Sequence, residues 1–315
     1  MMEQYGIHKV TIPLPFWNSD VHCYLAKSKG KWKLVDTGMN RPETRKSWEN
    51  AFLEHGIDPQ HDVEGILLTH HHPDHLGYAG ILQEWTGAAV YLSEEERHLL
   101  QHQWTEQSFA AFYRGAGMPL EVVQELQKNE TAFHPVPPPP HPIQTLREGD
   151  LIDFGELTFR VLYTPGHTAG HVCFYNEDQK VLVTGDHLTR ETMPYISYHG
   201  FGDKNPLGTY IASLEKMRSL DISLVLPGHG PLFADAQERI TEILNYYQKR
   251  IERVREWAKK GGTAFEVSHQ LFPEQREGLD QWIAIGEANA YLHYLVEAGE
   301  LKAETQGGLF RYKVL

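Results

Sequence analysis

At 315 residues, 41% of them hydrophobic and 11% aromatic, the chain has apolar material for one large folded domain plus a small one, which excludes a disordered polypeptide. A formal net charge of −13 argues against non-specific affinity for nucleic acid or an anionic membrane, because both demand a cationic surface. The apolar stretches are far shorter than a bilayer span, no secretion signal opens the chain, and Cys23 and Cys173 lie far apart outside any paired motif, as expected of reduced thiols in a cytoplasmic protein.

In chain order, apolar runs at Lys9 to Pro13, Val21 to Ala26 and Trp32 to Asp36, broken by polar turns, predict a strand meander. Asp36-Thr37-Gly38 ends the third run, and a helix with Pro42 near its first position covers about Glu43 to Glu54. The strand-like stretch Gly65 to Thr69 leads into His70-His71-His72-Pro73-Asp74-His75, followed by a helix-like segment from Asp74 to Trp85. Ala88 to Leu92 reads as a strand, with Ser93 placed to cap a helix whose first turn is Glu94-Glu95-Glu96. Residues 94–133 form a mostly helical insertion carrying Trp104, Phe109, Phe112 and Tyr113, aromatics that either pack the insertion onto the domain or wall a substrate pocket as a lid. Pro135 to Pro142, with four consecutive prolines, is a stiff linker back to the main body. Strands are expected at Thr158 to Tyr163, His171 to Tyr175, Val181 to Thr184 and Leu224 to Leu226. Asp235 to Lys260 has helical spacing of apolar residues and stops at Gly261-Gly262. A helix, a second helix at Ala288 to Ala298 and a hairpin around Gln306-Gly307-Gly308 complete a winged-helix order. From Phe265 onward four Lys or Arg stand against eight Asp or Glu, the reverse of a DNA-reading wing. The wing is therefore expected to pack on the catalytic domain or on a sister subunit, which leaves a homodimer open.

The hexapeptide crowds four metal-binding side chains into one turn of backbone, a costly arrangement unless a cation offsets their repulsion and desolvation. Two further strands end in the same way, at Thr164-Pro165-Gly166-His167 and at Leu226-Pro227-Gly228-His229, and Asp186 ends a third. His70, His72, Asp74, His75, His167, Asp186 and His229 are too many donors for one tetrahedral ion and suit two. His70, His72 and His167 can face one cation, Asp74, His75 and His229 a second, with Asp186 bridging. Two such ions about 3.5–4 Å apart can share a hydroxide and polarise an electrophile. Imidazoles and carboxylates suit zinc first, and iron or manganese as well. Tyr195 and Tyr198 follow Asp186 in a loop expected to cross the site, where either hydroxyl could hold an oxyanion or either ring could simply pack. His71 is expected to point away from the ligands, and His171 and His187 to serve as hydrogen-bonded framework.

On these residues the chain, from 1 to about 232, resembles the metallo-β-lactamase superfamily. The resemblance implies an α/β (α+β) chain folded as a four-layer αββα sandwich, with the site at one edge between two β-sheets and the helical insertion at 94–133. Residues 233–315 would form a linking helix and a small winged-helix-like domain, similar to the extension of lactamase-like hydrolases related to a mitochondrial endoribonuclease. Asp36-Thr37-Gly38 matches a family turn whose aspartate supports the ligands from behind. Zinc β-lactamases of the common subclass carry cysteine where this chain has Asp186, so the likeness is to the binuclear branch of glyoxalase II, lactonases and nucleases. Flavodiiron proteins, with glutamate at the position of His72 and an added flavodoxin domain, are excluded.

The expected function is a binuclear metal-dependent hydrolase that cleaves a lactone or thioester in a small molecule through a metal-bridging hydroxide, with Asp74 also relaying a proton. The alternatives are an endoribonuclease or phosphodiesterase, disfavoured by the acidity of chain and wing, and a mononuclear iron enzyme resembling persulfide dioxygenases. No membrane partner is expected.

Overall fold

The computed structural model of the protein describes residues 2–15, 19–101, 105–128, 139–274 and 278–315. Strands β1 (Ile7–Pro13), β2 (Asp20–Ser28) and β3 (Lys31–Val35) form the expected antiparallel meander. After helices α1 (Pro42–Glu54) and α2 (Pro59–Asp62), strand β4 (Val63–Leu67) joins parallel to β3. Helices α3 (Pro73–Leu76) and α4 (Ala79–Thr86) then lead to β5 (Ala89–Ser93). The insertion supplies α5 (Glu94–Gln101), α6 (Glu106–Gly115) and α7 (Leu120–Gln127), and β6 (Ile143–Leu146) closes a sheet ordered β1-β2-β3-β4-β5-β6. A second sheet, ordered β11-β10-β9-β8-β7, is built from β7 (Leu151–Phe154), β8 (Leu157–Tyr163), β9 (Val172–Asn176) and β10 (Val181–Gly185). Its last strand, β11 (Leu224–Pro227), follows α8 (Pro206–Met217) and lies parallel to β10.

Alternation along the strands sorts side chains into layers. Val181 and Val183 of β10 join Val35, Leu67, Phe159, Val161 and Leu226 between the two sheets. Leu182, one position along, faces outward and packs with Leu162, Val225, Tyr210 and Leu214. On the far side, Leu34 and Ile66 of the first sheet meet Trp48 and Phe52 of α1 and Leu82 of α4. Buried on both faces, β9 and β10 are continuous apolar runs. The result is helix, sheet, sheet, helix: the four-layer αββα sandwich.

The C-terminal part consists of α9 (Ala236–Ala258), α10 (Ala264–Leu271), α11 (Gly278–Glu297) and the hairpin β12 (Leu301–Gln306) and β13 (Leu309–Val314). Its core is continuous with the outer layer of the second sheet. Tyr247, Ile285 and Tyr291 share one buried cluster with Phe109 and Tyr113 of the insertion and with Leu162 of β8. Phe109 and Tyr113 therefore act as packing, and Phe112 packs partly buried against the same cluster. Trp104 and the first residues of the proline segment, 135–138, lie outside the described residues.

Some boundaries differ from expectation. The helix predicted from Asp74 to Trp85 is divided into α3 and α4, because the Tyr78 amide donates to the Gly38 carbonyl (2.8 Å) instead of continuing the helix ladder. The last helix begins at Gly278, ten residues before Ala288. Strands β6 and β7 and helix α8 were not anticipated: each strand is four residues long and interrupted by polar residues (Gln144 and Thr145, Asp153), and α8 follows a Gly-rich loop. Among the described residues no helix is long and apolar enough to cross a membrane.

Candidate metal centre

Every candidate ligand segment, like the supporting turn of Asp36, leaves the carboxyl end of a strand. Asp36 follows β3, His70 follows β4, His167 follows β8, Asp186 follows β10 and His229 follows β11. Within each sheet these strands run the same way, so their loops emerge along one edge. A rigid strand feeding a short loop is the arrangement that fixes a side chain most tightly.

The structure brings all seven candidates together. His70, His72 and His167 present ring nitrogens within 4.8 Å of one another, and so do the donor atoms of Asp74, His75 and His229. His167 Nε2 lies 2.9 Å from His72 Nδ1, and His229 Nε2 lies 3.3 Å from Asp74 Oδ2. Asp186 stands between the two groups. Its Oδ1 is 3.1 Å from His75 Nε2 and 3.4 Å from His229 Nε2, while its Oδ2 is 3.5 Å from His167 Nε2. Among the described residues, buried His70 Nε2 finds no hydrogen-bond partner, and buried His75 Nε2 and Asp186 Oδ1 find none outside the cluster itself. Buried polar atoms are rarely left so, and a converging set of imidazole and carboxylate donors fits divalent cations.

Four of the five ligand rings are held by a bond on the side facing away from this centre. His75 Nδ1–H donates to Asp36 Oδ2 (2.8 Å), His167 Nδ1–H to the Tyr195 carbonyl (2.7 Å) and His229 Nδ1–H to the Asp20 carbonyl (2.6 Å). His70 Nδ1–H reaches Thr69 Oγ1 (3.0 Å), whose own proton goes to Asp36 (2.9 Å). Each such bond fixes the tautomer and aims Nε2 forward. Asp36 adopts a left-handed conformation (φ 57°), a strained one for a residue with a Cβ, and also accepts from the Thr69 amide (2.8 Å). The neighbouring turn is locked to the ligand loop, because Thr37 donates through both its amide (2.8 Å) and its hydroxyl (2.7 Å) to the His75 carbonyl. Trp48, buried in α1, donates to the Thr37 carbonyl (2.9 Å).

Burial drives the titration of His70 and His72 well below the usual imidazole range, and neighbouring imidazoles push the same way. For His75 burial acts downward too, but the carboxylates of Asp186, Asp36 and Asp74 outweigh it and hold the ring well above the ordinary value. At His229 burial is likewise outweighed, by Asp186 and Asp74, and the pKa rises to about 10. Asp186 is held well below the carboxylate range by His75 and His229 in spite of its burial. Without a cation, then, protons on His75 and His229 balance the carboxylates, and a divalent ion would take over that positive charge.

Several supports were not visible in the sequence. Glu96 is fully buried; its carboxylate accepts from the His71 amide (2.8 Å), from His71 Nδ1 and from the Gly170 amide (2.7 Å). It therefore clasps the loop carrying His70 and His72 to the loop carrying His167. Ser93, expected as a cap, accepts from the Glu96 amide (3.3 Å) and donates to the Gly170 carbonyl (2.6 Å). In sequence Glu96 is one of three consecutive acids, and only its burial separates it from the other two. Tyr24 and His22 of β2 support the last ligand loop, the first through a hydroxyl bond to the Pro227 carbonyl (2.7 Å), the second through its ring to Gly230 (2.9 Å). Gly228 is required by space: a Cβ there would lie 2.7 Å from both Asp186 Oδ1 and His75 Cε1.

Of the two roles open to Tyr195, its hydroxyl does not take the oxyanion one. Its hydroxyl meets His199 Nε2 (2.9 Å) and donates to the Ile283 carbonyl (3.1 Å), so it is not directed at an oxyanion; its backbone carbonyl holds His167 instead. The Tyr198 ring packs on His293 (4.2 Å between centroids) and Phe112 (6.1 Å). His71 turns to Glu96, away from the ligands. His171 Nδ1 meets Thr164 Oγ1 (2.9 Å), and the ring of His187 lies against Tyr210 (5.0 Å between centroids).

The family model of the Metallo-beta-lactamase superfamily matches residues 17–229, and that of the Metallo-beta-lactamase-like, C-terminal domain matches residues 251–315. The probable metallo-hydrolase YqjP of Bacillus subtilis is 27% identical over 319 residues, spanning 97% of each chain. The crystal structure of a metallo-beta-lactamase family protein from Thermus thermophilus, TTHA1429, superposes with a TM-score of 0.83 at 32% identity, covering 98% of this chain and 99% of that one. The atrochrysone carboxyl ACP thioesterase of Aspergillus fumigatus is 23% identical over 233 residues, which are 74% of this chain and 58% of that longer protein. With its fold, its cluster of imidazoles and carboxylates and a family match over most of its length, this chain belongs to the metallo-beta-lactamase superfamily and is one of its metallo-hydrolases.

Proposed function

We propose that the protein is a binuclear metal hydrolase of the glyoxalase II and lactonase type, cleaving a thioester or lactone in a small molecule. The observation that carries this reading is the position of Asp186, whose two oxygens address separate groups of donors. His70, His72 and His167 would hold one cation and Asp74, His75 and His229 the other, with Asp186 shared and zinc the first choice of metal. When bound, such a pair lowers the pKa of water and polarises the carbonyl under attack.

The chain's own residues supply the rest. His70 and His75 are fully buried, while the side chains of Asp74, Asp186 and His229 keep 19%, 14% and 22% of their surface, so substrate approaches from their side. Asp74 is the more exposed of the two carboxylates in the cluster, which supports it as the group that would take or return a proton as the tetrahedral intermediate breaks down. Tyr198, between the insertion and α11, would flank the bound substrate. Net negative charge disfavours polyanionic substrates, and the thioesterase among the relatives supports an acyl substrate. The order α10, α11, hairpin supports a winged-helix-like tail after a catalytic domain ending near residue 232. Two buried free cysteines fit the reducing cytoplasm.

Metal analysis together with a panel of lactones, thioesters and labelled single-stranded RNA tests the proposal. Two divalent ions per chain and turnover of a thioester or lactone, abolished in Asp186→Ala, are expected. One iron per chain with persulfide turnover, or RNA cleavage without ester cleavage, would replace it.

A further inference from the structure

We propose that the C-terminal helices position His167, acting through Tyr195 and His199 as positioning residues. The inference rests on the reading of His167 as a metal ligand. The segment from Pro194 to His199, which supplies the carbonyl that His167 Nδ1–H needs, is fastened to the C-terminal part at four points. Tyr247 of α9 donates to the Pro194 carbonyl. Tyr195 donates its hydroxyl proton to the Ile283 carbonyl of α11 (3.1 Å). The Tyr198 amide donates to the Gly286 carbonyl (2.9 Å). His199 stacks on Trp282 at 4.0 Å between centroids and 6° between planes.

The hydrogen bonds in this group have only one consistent direction. Since the Tyr195 hydroxyl proton is directed at Ile283, its oxygen accepts from His199 Nε2–H (2.9 Å). That leaves His199 Nδ1 as the acceptor of the Tyr113 hydroxyl proton from α6 (2.6 Å). A proton on both ring nitrogens would set two donors against each other, and burial pushes the His199 pKa down to about 3, so the ring stays neutral. The chain thus links insertion, ligand loop and α11 without a charge. It closes only because Gly286 has no side chain: a Cβ there would sit 2.3 Å from His199 Cε1 and 2.7 Å from the Tyr195 hydroxyl. A glycine inside a helix weakens it by roughly 1 kcal/mol relative to alanine, and this close approach is the structural reason for one here.

The test uses the full chain. Tyr195→Phe and His199→Phe keep the backbone carbonyl and remove the bonds that hold it in place. Loss of such a support typically weakens metal binding about 10–100-fold, so one of the two cations should be held about tenfold less tightly in a chelator competition, with the second unchanged. In His167→Ala, adding Tyr195→Phe should change nothing further. In metal-free wild-type protein the ¹⁵N shifts of His167 should report a single Nδ1–H tautomer, and in Tyr195→Phe a mixture. The inference is overturned if both folded variants bind both cations within twofold of wild type, or if wild-type His167 carries its proton on Nε2. Should His199→Phe fail to fold, Tyr195→Phe and the wild-type tautomer decide alone. If His167→Ala loses no cation, the ligand assignment itself fails, a result distinct from failure of this inference.

Discussion

Glu96→Gln is the sharpest probe of how the two ligand loops are held. Glu96 Oε2 accepts from the amide and the ring of His71, and Oε1 accepts from the Gly170 amide. Glutamine offers one acceptor oxygen, so whichever way its amide turns, an NH₂ group confronts a buried N–H. A hydrogen bond to a charged group contributes about 1.5–3 kcal/mol, and a buried donor left unpaired costs ~1–3 kcal/mol. These overlap, so the expected loss is about 3 kcal/mol, a drop in Tm of roughly 4–5 °C for a chain of 315 residues at about 2.1 cal/mol/K of unfolding entropy per residue. Burial opposes ionisation of Glu96, but His71 and the Gly170 amide overcome it and hold the carboxyl below its ordinary value of 4.5. A depressed carboxyl stabilises the fold above its unfolded value, and that contribution is lost as pH falls through the folded value. The variant should therefore lose stability less steeply than wild type below about pH 4.5. Thermal and urea unfolding of chelator-treated protein across pH 3–8 measures both effects. A variant within about 0.5 kcal/mol of wild type, with a parallel acid limb, would refute the clasp, since that is the range of an ordinary surface change.

Asp36→Asn should keep the left-handed turn, which asparagine tolerates, yet remove the charge facing His75, weakening metal binding about 10–100-fold; chelator competition reads this, and unchanged affinity would deny the role. Gly228→Ala forces a Cβ to within 2.7 Å of Asp186 Oδ1 and His75 Cε1, so a folded variant should hold fewer than two cations per chain by metal analysis. Metal binding near pH 8 should release protons from His229, whose pKa is about 10, and from His75, held well above its ordinary value. Calorimetry in buffers of different ionisation enthalpy counts them, and zero released protons would contradict the charge balance described. Because the His229 pKa is raised on folding, its contribution to the metal-free protein is full below about pH 6.5 and fades as pH rises through about 10. Alkaline destabilisation over that window, suppressed by added zinc, is the expected result.

Much of this was legible in the sequence because each ligand segment carries local punctuation. An apolar strand run followed by Pro-Gly-His or by the hexapeptide announces a strand end and a presented imidazole, and Asp36-Thr37-Gly38 announces a turn. The supports were harder to read because they are side chains made special by long-range neighbours alone. Glu96 looks like its two less buried companions in the acidic first turn of α5, and nothing local predicts its partnership with Gly170, 74 positions away. Tyr195 could be located over the site from its spacing, but the direction of its hydroxyl depends on α11, nearly ninety residues later. Strands β6 and β7 are not legible locally because four residues, interrupted by Gln144 and Thr145 in one and by Asp153 in the other, cannot establish a period.

The apolar cluster running from the second sheet through the insertion into α9 and α11 also bears on how the chain can be cut. A fragment stopping near residue 232 would strip α9 and α11 from this cluster and uncover Tyr210, whose ring meets Tyr247 at 5.7 Å between centroids, together with the faces of α7 and α8 that α11 covers. Such a stump would have shed not an appendage but one wall of its own interior, and sticky association in place of clean folding is its natural fate.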